Sequence, residues 1–198
     1  MGLISNGSTI FDNGSMASGF GGSLVFLSKQ TASASSSISF TSDIDSTYKE
    51  YIFYYVNIHG SQDNAFFEVG FRDGGSLYDA IKTTTHFKTQ HSENDVYADI
   101  AYQSDGDLAQ STSFQQLVRN SGNDNDQSVS GYLHLFNPSS TTFVKHFIGR
   151  GNSYQFEDLS MDSFVAGYCN TTTAIDGVQF KFSGGTIDAG EILLFGVS

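Results

Sequence analysis

The sequence predicts an all-β fold: an antiparallel, jelly-roll-like β-sandwich of about ten to twelve strands with an extended N-terminal arm. Three observations predict it. Short apolar runs repeat with a period of two rather than 3.6. Lys and Arg together number nine against 21 Gly, and the polar remainder is Ser, Thr, Asn, Asp and Gln, which is turn and strand chemistry. The hydrophobic fraction is only 38%, yet it includes 18 Phe and 10 Tyr, so a few large rings replace many aliphatic side chains. A chain of 198 residues suits one large sandwich and buries a core without disulfides or metals.

The elements follow in order. Residues 1–22 are rich in Gly, Ser and Asn, with turn-forming Asn-Gly pairs at Asn6-Gly7 and Asn13-Gly14, and read as an arm. Leu3, Ile10 and Phe11 are its apolar anchors; they make no core of their own and need something to lie against. Residues 23–198 read as a single sandwich domain. It opens with two short strands in SLVFLSK and SSSISFTS, where Ile38 and Phe40 alternate with Ser. The aromatic run YKEYIFYYVNIHG, apolar on both faces, reads as a central strand buried on both sides. In NAFFEVGFRDGG, Phe67, Val69 and Phe71 alternate with Phe66, Glu68 and Gly70 before a Gly-Gly turn.

AIKTTTHFKTQ and DVYADIAYQS are further strands, whereas DLAQSTSFQQLVRN fits either a short helix or a loop followed by a strand. SVSGYLHLFN and TTFVKHFIGRG, with the only proline, Pro138, between them, read as a hairpin. MDSFVAGYCN, IDGVQFKFSGG and EILLFGVS complete the set, the last pairing the C-terminal segment into a sheet. Aromatic-rich strands leave rings on both faces, and a sandwich covers only one face of each sheet internally. Surplus apolar surface of this kind calls for a neighbour.

The formal net charge of −12 repels phosphate backbones and anionic headgroups, so no nucleic-acid or membrane partner is expected. It serves either solubility or docking onto a basic surface. No basic and apolar leader opens the chain and no apolar stretch reaches membrane-spanning length, which predicts neither a signal peptide nor membrane insertion. Cys169 sits in an alternating apolar pattern and reads as a buried structural thiol.

Catalysis needs a nucleophile or an acid–base pair in a defined setting, and no G-x-S-x-G, H-E-x-x-H or phosphate-binding loop occurs. No catalytic residue, cofactor or metal site is therefore expected. His134 and His146 face each other across the expected hairpin but lack further zinc ligands. The Asp/Asn-rich loop 122–127, with Asp105 and Asp107 near it in sequence, offers oxygen ligands suited to Ca²⁺ without EF-hand spacing; it reads as a solvated loop, with Ca²⁺ the open alternative. Tyr48, Tyr51, Tyr54 and Tyr55 form the densest ring cluster, and would serve either as core or as stacking platforms for sugars.

The phrases DSTYKEYIFYYVNIH and NPSSTTFVKHFIG, within a likeness that runs nearly end to end, resemble virion structural proteins of marine tailed bacteriophages, including cyanophages. The resemblance implies a non-enzymatic component on the virion exterior, assembled in the host cytoplasm. Its station would be a tail fibre or appendage contacting the host surface, or a capsid decoration. The arm's apolar anchors and the surplus aromatic surface call for a homo-oligomer held by the arm, and the resemblance makes it most simply a trimer partnered by other virion proteins, with a host-surface glycan as an optional further contact. The competing class is a carbohydrate-binding module using exposed tyrosines.

Overall fold

A computed structural model of the chain describes residues 24–198 throughout and, before them, the backbone of three short strands. These are β1 (Leu3–Ser5), β2 (Ser8–Asp12) and β3 (Ser15–Met16), joined in a three-stranded antiparallel sheet. The side chains of the expected anchors Leu3, Ile10 and Phe11 lie outside the described residues, as does any docking of the arm.

Twelve strands follow: β4 (Leu24–Thr31), β5 (Ile38–Phe40), β6 (Glu50–Gly60), β7 (Ala65–Arg72), β8 (Lys82–Ser92), β9 (Ala98–Tyr102), β10 (Gln115–Ser121), β11 (Val129–Phe136), β12 (Lys145–Gln155), β13 (Leu159–Cys169), β14 (Gly177–Phe182) and β15 (Ile187–Val197). The described residues contain no helix, and the ambiguous segment before β10 is a loop leading into that strand.

Four antiparallel pairs nest one inside the next: β7 with β10, β6 with β11, β5 with β14 and β4 with β15. Alternate pairs fall in opposite sheets, giving β4-β15-β6-β11 on one side and β5-β14-β7-β10 on the other. Eight strands folded in this order make a jelly roll. The two pairs of strands inserted into it, β8–β9 after β7 and β12–β13 after β11, extend the first sheet in the order β12-β13-β8-β9. An eight-stranded sheet thus covers a four-stranded one, and a single rung between Ser121 and Gln155 joins them at one corner.

Aromatic rings meet between the sheets, as the composition requires. Phe53 on β6 stands edge-on to Phe40 of β5 at 5.3 Å, Tyr55 meets Phe67 of β7 at 5.2 Å, and Phe147 on β12 meets Phe71 at 4.8 Å. All but the slightly exposed Phe40 are fully buried, and burying one such side chain stabilises by about 1.5–3 kcal/mol. Tyr55 keeps its polar tip by donating to the Arg150 carbonyl at 3.0 Å. Its ring lies over Gly131 and Gly151, where an added Cβ would meet ring or hydroxyl atoms at 2.8 and 2.7 Å. Gly190, at φ +108, marks a bulge in β15 where the chain passes against Asn57 and Ile58 of β6.

β6 is central, between β15 and β11, but it is not buried on both sides as expected. Tyr51, Phe53 and Tyr55 fill the core, whereas on the other face Ile52 is covered, Tyr54 half-buried and Val56 exposed. The reason is architectural: nothing among the described residues lies over the outer face of the eight-stranded sheet.

Candidate functional site

That uncovered face carries a row with one residue from each of the eight strands. Cross-strand register places Phe26 opposite Phe195, Tyr54 opposite Tyr132, Tyr132 opposite Arg150, Arg150 opposite Phe164, Phe164 opposite Phe87 and Phe87 opposite Tyr102. Phe195 and Tyr54 are diagonal neighbours with rings 5.7 Å apart. Strands lie about 4.8 Å apart, so seven steps carry the row about 34 Å across the molecule. Period-two alternation produces it: each of these residues sits one position from a residue that points into the core.

The row is held by its own contacts. Phe87 and Phe164 stack flat, 4.7 Å apart and 5° from parallel, and the Arg150 guanidinium lies 4.7 Å from the Phe164 centroid. Because the strand order is β12-β13-β8, Phe164 is sandwiched with both faces occupied. At the other end Phe26 with Phe195, Phe195 with Tyr54 and Tyr54 with Tyr132 meet edge to face. Two ion pairs flank the row on the same face, Arg150 with Asp162 at 2.6 Å and Lys29 with Glu191 at 2.7 Å; Glu50 is hydrogen-bonded to His134 Nδ1, and Asp107 accepts from the Tyr102 hydroxyl. In a chain of net charge −12 this face is nearly neutral and largely apolar.

Of the four tyrosines singled out in the sequence, only Tyr54 joins the row. Tyr51 and Tyr55 are fully buried and offer no ring face to a ligand, so for these two the core alternative holds. Tyr51 accepts from the Asp45 amide and reaches the Asp45 side chain, both at 3.0 Å, and burial raises its hydroxyl pKa. Tyr48 packs on the core edge against Gly196. Sequence reading missed Tyr132, Phe164, Phe87 and Tyr102, which lie far apart in the chain. Their signal was the outward phase of each strand, legible only once strand order is known.

The remaining candidates do not gather into one site. His134 lies opposite Ile148, which makes His146 its diagonal neighbour on β12; His134 contacts Glu50 and His146 sits by Tyr168. Asp105 grips Arg119 through both oxygens, which holds its carboxyl down at about 2, and Asp107 accepts from Tyr102. In the loop 122–127, the Asp124 amide donates to Gln127 and the Asn123 amide to Asp63. The described residues contain no cluster of three His, Cys, Asp or Glu suited to a metal. Cys169 is buried, and desolvation pushes its thiol up to about 12. Beside it are two buried lysines: Lys82 donates to the Ala80 carbonyl at 2.6 Å, and Lys145 to those of Thr171 and Thr173 at 3.0 and 2.5 Å.

His86 is fully buried under Gly106 with neither ring nitrogen hydrogen-bonded, and burial, with Arg119 nearby, lowers its pKa to about 4.

No protein-family model, curated protein or solved structure matches the chain.

Proposed function

We propose that this protein is a non-enzymatic structural component on the exterior of a tailed-bacteriophage virion, assembling with copies of itself and with other virion proteins through the outer face of its eight-stranded sheet. The carrying observation is the aromatic row on a nearly neutral face, an exposed apolar surface that calls for a macromolecular neighbour. A jelly roll supports the reading as a fold common among viral capsid proteins, and the phrasing of the sequence supports the phage assignment. Fold-level likeness is an analogy, so the row carries the argument.

A carbohydrate-binding module is the second reading, favoured by the exposure of Tyr102 and the half-exposure of Tyr54 and Tyr132. Ring orientation weighs against it. Sugars stack on aromatic faces, and at the centre of the row the faces of Phe164 are taken by Phe87 and the Arg150 guanidinium.

Probing gradient-purified particles with an antibody against the folded domain tests the proposal. Labelling of intact particle exteriors is the expected result. Absence of the protein from purified particles, together with specific binding on a glycan array, would favour the module instead.

A further inference from the structure

We infer that the free edge of β9 is a self-pairing site, where two copies of this chain join their eight-stranded sheets about a two-fold axis through Ile100. The inference does not depend on the virion reading.

β9 pairs only with β8 and ends the sheet. The Ser92 amide donates to the Tyr97 carbonyl at 2.9 Å and the Gln103 amide to the His86 carbonyl at 2.8 Å. With the register between them, these bonds turn the backbone groups of residues 97, 99, 101 and 103 toward β8. The amides and carbonyls of Ala98, Ile100 and Tyr102 therefore point off the edge, where the Tyr102 carbonyl accepts a long hydrogen bond from the Gln103 side chain at 3.3 Å that a pairing strand would replace. Natural edge strands are blunted by proline, lysine or a bulge. β9, with the sequence ADIAY and an unbroken register, has none of these; its length of five residues and the inner-side charge of Asp99 are the only blunting features it carries.

Its apolar side chains are also poorly covered: Ile100 is 72% exposed and Tyr102 56%, with Val96 in the adjoining turn at 82%.

The sequence of the strand selects the partner. Pairing ADIAY antiparallel to itself, centred on Ile100, sets Ile100 against Ile100 of the partner subunit and Ala98 against the partner's Tyr102. Asp99, the only charge in the strand, falls opposite the partner's Ala101, so no like charges meet. The outward-pointing amides and carbonyls are complementary in that register, and the outer faces of the two eight-stranded sheets fall on the same side of the joined sheet. A two-fold interface of this kind uses both edges and closes.

Cysteine cross-linking of the full chain reads the register directly. A residue on the two-fold lies about 5.5 Å from its own copy, within disulfide reach, and Cys169 is buried. Under mild oxidation Ile100→Cys is expected to give a covalent dimer, while Ala98→Cys, whose opposite residue is the partner's Tyr102, is not. Ile100→Pro, which removes an outward amide at an exposed position, is expected to halve the mass seen by light scattering. That means dimer to monomer, or hexamer to trimer if residues 1–22 also associate in threes. An unchanged mass with Ile100→Pro, or equal cross-linking of both cysteine variants, would overturn the inference whether or not the protein is found on virions.

Discussion

At the scale of single residues, the structure makes the cost of particular groups readable. Glu68 lies on the outer face of the small sheet between Lys181 and Gln116, and desolvation raises its carboxyl to about 7 despite the lysine. A carboxyl whose folded pKa exceeds its unfolded value stabilises fully below the unfolded pKa, near 4.5, and loses that contribution as pH rises through about 7. The melting temperature should therefore carry a downward component between pH 4.5 and 7 that Glu68→Gln removes. Parallel pH profiles of the two proteins would contradict this.

Lys145 presents the opposite case, a buried ammonium satisfied by two loop carbonyls. Lys145→Met retains the stem but leaves those carbonyls unpaired, at an expected cost of about 2 kcal/mol in urea unfolding. Gly151→Ala drives a methyl group into Val118 and the Tyr55 hydroxyl, and should cost about 1–3 kcal/mol. A neutral result at Gly151 would mean that Tyr55 is not seated as described.

At the scale of elements, most strands were legible because each carries its own period-two signal and its own turn. The hairpin of β11 and β12 around Pro138 and the alternation of Phe67, Val69 and Phe71 need no tertiary information. Two readings required more than the strand itself. Tyr51 and Tyr55 differ from Tyr54 only in phase, and nothing in YKEYIFYYVNIHG says which phase meets the second sheet. The segment before β10 has apolar spacings compatible with a helical turn; the structure makes it a loop whose Leu108 amide donates to Thr84 of β8.

The stack on β12, β13 and β8 is the element most open to measurement. Arg150 and Phe164 should show a coupling of about 0.5–1 kcal/mol in a double-mutant cycle to alanine, since the guanidinium lies over the ring. Zero coupling would mean that the two side chains do not meet in solution.

At the scale of the whole molecule, an all-β sandwich could be read from composition and spacing, but the aromatic row could not. It joins residues from 26 to 195 and exists only after β8–β9 and β12–β13 are placed beyond β11. The inserted strands widen one sheet without a matching cover, and that asymmetry leaves apolar surface open on a chain that is otherwise acidic. The proposal that this face meets another protein on a phage particle is open to cryo-electron microscopy of intact particles. A jelly-roll density on the particle exterior is expected, with the row from Phe26 to Tyr102 buried against a neighbouring subunit. Particles that lack this density, or that carry it with the aromatic face open to solvent, would contradict the proposal.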